Sequence, residues 1–146
     1  MKKLYILNNV FILIFAISMV PLGATIVQTS CGLKYKDLIV GDGMRADPGK
    51  IATIHFIMWS DNNGMKGDQL YDSYTDSSNP LSFKIGTKKI ADGLNIGVTG
   101  MKVGGKRILY VPRDLNPKVA SGPFPANANL IFEVELLDVK EQKNAP

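Results

Sequence analysis

Two stretches of the chain alternate between apolar and polar positions, which is the pattern of half-buried β-strands. In residues 51–59 one set of alternate positions holds Ala, Ile, Phe and Met, so that face is expected in the core. In residues 129–139 the other face carries Glu133 and Glu135, which indicates a solvated side. Shorter or partly alternating stretches predict four further strands, at residues 33–40, 69–74, 81–85 and 106–111.

Only one segment, residues 89–99, has helical spacing. Ile90, Leu94 and Val98 recur every four residues and would share one face. Two glycines inside the segment each lower its helix propensity by about 1 kcal/mol relative to Ala. A short helix of this composition must be held by packing, so we expect it to lie against the sheet.

Clusters of Gly, Pro, Asp and Asn separate these elements and indicate turns. Residues 112–129 contain four prolines without a period, which predicts a long loop, and such loops are often functional. The pattern therefore predicts an α+β domain, a five- to six-stranded antiparallel sheet that covers one face with a short helix.

The N-terminus has the order of a secretory signal peptide. Residues 1–9 carry two lysines and no acid, residues 10–20 form an apolar run of eleven, and small residues follow. We predict a signal peptide over residues 1–24, a linker over 25–31, and export to the periplasm or the exterior. Eleven residues are short of the roughly 20 that span a bilayer. A retained membrane anchor, with the domain facing away from the cytoplasm, is the alternative.

Cys31 opens a further alternative, a lipid-modified cysteine close to the start of the mature chain. Gln28 stands where a lipidation motif has an apolar residue, and ten residues separate the apolar run from the cysteine. The simpler hypothesis is therefore a lone thiol behind a cleaved signal peptide.

Composition excludes several classes of protein. The chain has 146 residues, enough for one domain, with one cysteine and one histidine, so neither a disulfide framework nor a zinc site is expected. Its net charge of +4 falls to +2 without Lys2 and Lys3, which argues against nucleic-acid binding. His55 lies in the middle of a predicted strand, which favours a hydrogen-bonded sheet residue over a catalytic base. We expect neither a metal nor a cofactor.

Motifs in fixed order along the chain resemble the FK506-binding-protein type of peptidyl-prolyl isomerase. The most specific are the turn Gly-Met-Lys-Val-Gly-Gly-Lys-Arg at 100–107 and the closing strand Leu-Ile-Phe-Glu-Val-Glu-Leu-Leu at 130–137. Shorter matches are Leu-Tyr-Asp-Ser at 70–73 and Pro-Leu-Ser-Phe-Lys-Ile-Gly at 80–86. The resemblance implies a domain over residues 32–140, a sheet wrapped around one short helix, and a tail over 141–146. The opening residues, 32–38, are similar to exported or organellar members.

The resemblance also implies an apolar pocket for the proline ring. Asp72, Tyr71 and Phe132 would be the catalytic residues, with Asp72 orienting donors or meeting the substrate amide rather than acting as a base. The full set of implied substrate-binding residues is Phe56, Tyr71, Asp72, Leu81, Ile90, Ala91, Leu94, Phe124 and Phe132.

An apolar pocket suits this chemistry. Rotation about an Xaa-Pro bond is slow because the amide must lose its resonance. The twisted amide is less dipolar than the planar one, so a dry apolar site favours it over water, and neither nucleophile nor metal is required.

The chain departs from the family pattern at three positions of this site. Leu94 stands where the family usually has a Trp at the pocket floor, and Phe56 replaces a frequent Tyr. Pro117 stands where a Tyr hydroxyl usually donates to the substrate, and Pro has no donor. The lost hydrogen bond is worth about 1–2 kcal/mol, roughly five- to thirtyfold in rate or affinity. The loop over 116–125 is also about two residues shorter than in common members.

The expected function is an exported isomerase that assists folding, with proline-containing unfolded or extracytoplasmic polypeptides as partners and FK506-like macrolides as weak ligands. The alternative is a non-catalytic peptide-binding module or chaperone on the same fold with a degenerate pocket. Contact with a membrane is expected only if the N-terminal segment is retained.

Overall fold

A single antiparallel sheet organises the molecule, which a computed structural model describes over residues 24–76 and 78–143. Its strand order is β1-β2-β6-β7-β3-β4, and β5 pairs with β3 beside β4. The strands are β1 Ile26–Gln28, β2 Lys34–Ile39, β3 Ile51–Asn62, β4 Met65–Asp72, β5 Leu81–Lys84, β6 Lys106–Val111 and β7 Leu130–Lys140; a helix, α1, spans Asp92–Val98 and a 3-10 turn spans Arg113–Leu115.

The predicted α+β class is confirmed, and the described residues form seven strands, one more than the upper number expected. The additional strand is β1, whose three exposed residues pair with β2 inside the segment predicted as a linker. The predicted signal peptide lies outside the described residues except for Ala24, and so does the predicted end of the tail, residues 144–146. Within residues 24–76 and 78–143, no helix is long and apolar enough to span a membrane.

The faces predicted for the two long strands are confirmed. Ala52, Ile54, Phe56 and Met58 of β3 are buried, and the alternate positions are half-buried. On β7 the residues that face the core are also buried, and they pair across the sheet with β3 and β6. Strands β5 and β4 follow one another along the free edge of β3, since they pair with its first and second halves.

Helix α1 packs closely on β6 because two of its residues are glycines. A Cβ at Gly93 would lie 2.2 Å from Cγ1 of Val111, and one at Gly97 would lie 2.3 Å from Cδ1 of Leu109. Such separations are shorter than any van der Waals contact, so only glycine allows this approach. The helix is shorter than the predicted 89–99, and Ile90 precedes it as a partly buried residue against the core.

Arg107, the last residue of the turn motif at 100–107, connects the helix to the sheet. The residue is 7% exposed, and its guanidinium donates to both carboxylate oxygens of Asp37, at 2.6 and 3.1 Å. The same group donates to the backbone oxygen of Gly97 at 2.9 Å and stacks over Tyr35 at 4.0 Å. One side chain therefore joins β2, β6 and α1.

Candidate functional site

Four aromatic rings, from β3, β4, β7 and the long loop, pack together at one end of the core. Phe56 lies at their centre, with ring centroids 5.2 Å from Tyr71, 6.1 Å from Phe124 and 6.0 Å from Phe132. Phe124 also packs on Phe132 at 6.1 Å. We call these four residues the aromatic cluster. Ring pairs at such distances contribute beyond their buried area, so the cluster is a rigid apolar surface.

The backbone of Phe56 is fixed by a neighbouring serine. The hydroxyl of Ser73 accepts the Phe56 N–H at 2.8 Å, and the Ser73 N–H donates to the Phe56 carbonyl at 3.0 Å. Nδ1 of His55 lies 2.8 Å from the same hydroxyl. The single histidine is thus a hydrogen-bonded sheet residue, as the sequence indicated, and its role is to hold the strand that carries Phe56.

Two clefts adjoin the aromatic cluster. The smaller, of about 220 Å³, is the aromatic cleft, with walls that include Phe56, Tyr71, Pro80, Leu81, Pro123 and Phe124. The larger cleft, of about 520 Å³, has an apolar side formed by Leu81, Ile90, Ala91, Leu115, Pro117 and Phe124. Leu81, Pro123 and Phe124 line both, so the two clefts are adjacent, and we call the pair the depression.

Two buried asparagines shape the larger cleft. Asn95 of α1 accepts the Gly86 N–H at 2.9 Å and donates to the Thr87 carbonyl, which fixes the turn that leads into the wall at 88–91. Asn116 donates to the carbonyls of Val111 and Ala128, at 3.4 and 2.9 Å, and so ties the two ends of the long loop together. Its Oδ1 is buried without a hydrogen-bond partner among the described residues.

The long loop closes over the cluster through a tight turn. The backbones of Ser121 and Phe124 exchange two hydrogen bonds of 3.1 Å, and Gly122 between them has a φ of +56°. This turn presents Pro123 and Phe124 to both clefts.

The structure brings six of the nine predicted substrate-binding residues to the clefts. They are Phe56, Tyr71, Leu81, Ile90, Ala91 and Phe124.

The other three predicted residues line neither cleft. Leu94 and Phe132 have no exposed surface and belong to the core, Phe132 as a fully buried member of the aromatic cluster. Asp72 is half-buried, and its carboxylate accepts the backbone N–H of Tyr74 at 2.9 Å, so it stabilises the turn after β4. The catalytic roles given to Asp72, Tyr71 and Phe132 stay predictions.

Sequence reasoning missed Ser73, Asn95 and Asn116, which position the site through backbone hydrogen bonds. The only signal for them was a polar residue among apolar neighbours. Pro117, by contrast, lies in the larger cleft, as the departure from the family pattern placed it.

Charged groups sit at the rim of the site and on the outer face of the sheet. The cleft lining includes Lys88, Lys89 and Asp92, all exposed.

On the outer face of the sheet the ring of Tyr74 stacks on His55, with centroids 4.1 Å apart, and its hydroxyl donates to Glu135. Burial and then this hydrogen bond raise the pKa of the Tyr74 phenol above its ordinary value.

Comparison with known proteins agrees with this geometry. Residues 43–137 match the family model described as FKBP-type peptidyl-prolyl cis-trans isomerase. An FK506-binding protein of Neisseria meningitidis serogroup B is 41% identical over 112 residues, which are 75% of this chain and 98% of the relative. FK506-binding protein 4 of Dictyostelium discoideum is 37% identical over 116 residues, but the match spans only 30% of that longer protein and 78% of this chain.

Solved structures show the same fold. FkpA from Escherichia coli superimposes with a TM-score of 0.67 at 29% identity, over 84% of this chain and 54% of that one. AtFKBP13 superimposes with a TM-score of 0.66 at 27% identity, over 78% of this chain and 98% of that one. The chain belongs to the FKBP-type peptidyl-prolyl cis-trans isomerase family, and the enzyme class expected from its sequence is confirmed.

Proposed function

We propose that this FKBP-type isomerase binds Xaa-Pro segments in the depression formed by the two adjacent clefts and lowers the barrier to cis–trans rotation there. The observation that carries the proposal is the aromatic cluster, which presents the rings of Phe56, Tyr71 and Phe124 to one small cleft. A proline ring is apolar and compact, and aromatic faces supply the contact area that it needs. The larger cleft then takes the residues next to the proline.

Catalysis in such a site comes from its low polarity. The planar amide has a strong dipole, which water stabilises through hydrogen bonds. The twisted amide has lost part of that dipole. Apolar walls therefore disfavour the ground state more than the transition state, which is the condition for acceleration. No proton has to move, and this agrees with an Asp72 carboxylate that is engaged in its own turn.

The site supports a slower enzyme than the family pattern implies. Pro117 offers the substrate no hydrogen-bond donor, and Leu94 is fully buried and lines neither cleft, so this position supplies no aromatic floor. The same features favour a second candidate function, a non-catalytic module that holds apolar proline-containing segments. FK506-like macrolides, for which the relatives are named, would bind the same depression weakly.

The physiological partners that we propose are unfolded or extracytoplasmic proteins. The support is the basic, apolar and small-residue order of residues 1–24, which is that of an export signal. Mass determination of the mature N-terminus from cells tests this part. A start near Thr25 supports cleavage and release, an acylated Cys31 supports a lipoprotein, and an intact Met1 supports a membrane anchor.

The activity is tested by isomerisation of a Leu-Pro tetrapeptide without a coupling protease. Phe124→Ala removes a ring that lines both clefts, so we expect kcat/KM to fall about tenfold or more. Val119→Ala is the matched control, because Val119 lies in the same loop, is 77% exposed and lines neither cleft. It should change the rate less than twofold. If the folded chain binds the peptide without accelerating its isomerisation, the isomerase proposal is wrong and the protein is a binding module.

A further inference from the structure

One wall of the larger cleft is cationic. Lys88 and Lys89 both line it, both are exposed, and neither forms an ion pair with any residue in the described part of the chain. Asp92 is the one acidic residue in that lining. The two lysines, which we call the cationic wall, therefore outnumber the one carboxylate among the described residues of this lining.

The backbone of this wall is held in place. The side chain of Asn95 bonds to Gly86 on one side and Thr87 on the other, directly before Lys88. After the two lysines, Ile90 packs on the core, and Ile90 and Ala91 belong to the apolar side of the same cleft. Both ammonium groups thus start from a rigid segment, which limits where they can reach.

The cationic wall adjoins the place proposed for proline. Leu81 and Phe124 line both clefts, so a peptide with its proline ring in the aromatic cleft continues along the larger one. A residue next to that proline then passes Lys88 and Lys89. A single exposed charge pair contributes little to binding. Here, however, both lysines would attract the same substrate carboxylate, so their contributions add.

We propose that Lys88 and Lys89 determine specificity, so that this isomerase prefers proline segments with Asp or Glu directly next to the proline. The inference rests on the proposed function and names a substrate class within it. Segments with Lys or Arg at that place are disfavoured because they meet two like charges. Neutral segments lie between the two.

The test compares peptides of equal length, Ala-Xaa-Pro-Phe and Ala-Pro-Xaa-Phe, in which Xaa is Glu, Gln or Lys. In one of the two series we expect kcat/KM for Glu to exceed that for Lys about tenfold at low salt. At 1 M NaCl, where the Debye length is about 3 Å, the ratio should fall to about two. The series that shows the preference identifies which neighbour of the proline lies in the larger cleft.

Charge reversal supplies the matched variants. K88E/K89E should invert the Glu-to-Lys ratio, because the wall then carries the opposite charge. K34E/K143E makes the same change in net charge with two exposed lysines that do not line the cleft, and it should preserve the original ratio. A ratio that moves equally in both variants would overturn the proposal, because long-range charge alone would then explain it.

Failure of this inference differs from failure of the proposed function. Equal rates for Glu and Lys peptides in both series, with acceleration of all of them, overturn the cationic wall and leave the isomerase intact. If no peptide is accelerated, the isomerase fails, and dissociation constants of the same peptides measured by NMR titration decide the inference. A Glu preference that K88E/K89E inverts supports it for a binding module, and equal affinities overturn it.

Discussion

Replacing Gly97 with alanine has two opposing effects on the free energy of unfolding, and the size of each is known. Gly to Ala inside a helix is favourable by about 0.8–1.0 kcal/mol from backbone propensity alone. The new Cβ, however, would lie 2.3, 2.7 and 3.0 Å from three side-chain atoms of Leu109, which has no exposed surface. Overpacking a core costs about 1–3 kcal/mol, and contact with three atoms of one buried residue places Gly97→Ala at the upper end. We therefore expect a net loss of about 2 kcal/mol in the free energy of unfolding.

Urea denaturation measures this loss, with fluorescence of Trp59, the single tryptophan, as the probe. Leu109→Ala makes room for the new methyl group but leaves a cavity, which alone costs about 2–5 kcal/mol. The double variant should lose at least 1 kcal/mol less than the sum of the two single losses. If Gly97→Ala instead stabilises the protein by about 1 kcal/mol, helix propensity wins, and the close packing of α1 on β6 is not what holds the helix.

Three further results are expected from the polar contacts. Arg107→Lys should lower the free energy of unfolding by about 2–4 kcal/mol, because Lys cannot form the two-pronged pair with Asp37; equal stability in urea would show that the fork is dispensable. Asn95→Leu should raise KM for a Leu-Pro peptide several-fold, because the turn before the cationic wall loses its hydrogen bonds. An unchanged KM would show that this turn does not affect binding in the cleft. The raised pKa of Tyr74 means that the folded state holds the phenol proton more tightly, so stability should fall as pH rises above about 10, and Tyr74→Phe should flatten that fall in alkaline denaturation curves.

The sequence predicted the strands that obey a strict period. Alternation in β3 reports one face in the core and one outside, and the structure places Ala52, Ile54, Phe56 and Met58 inside as expected. Strand β1 was missed because all three of its residues are exposed, so no buried face leaves a pattern. It exists through backbone pairing with β2, which side-chain periodicity does not encode.

The depth of the site could not be predicted. The resemblance placed Leu94 and Phe132 at the pocket, and the structure buries both completely in the core. Depth depends on how the loop turn at 121–124 packs Phe124 over Phe56 and Phe132, and this is a tertiary property of a segment without a period. Packing, rather than the sequence pattern, decides which of the predicted residues line a cleft and which are buried.

The polar residues that hold the backbone of the site in place could not be predicted from the sequence either. Ser73, Asn95 and Asn116 act on backbone groups that are distant in sequence or on turns, and each spacing has many possible partners. The two helix glycines show the converse. As isolated residues they weaken a helix, but against β6 they are what allows it to pack.

The most direct test of the account is NMR exchange spectroscopy on a Leu-Pro tetrapeptide with a small amount of the full chain. Without a catalyst, cis and trans forms interconvert over tens to hundreds of seconds. We predict exchange cross-peaks on a timescale below about 1 s, with shifts in the protein's own spectrum at Tyr71, Phe124 and Ala91. If the same protein resonances shift while the peptide exchanges at its uncatalysed rate, the depression binds proline segments without isomerising them, and the central claim is wrong.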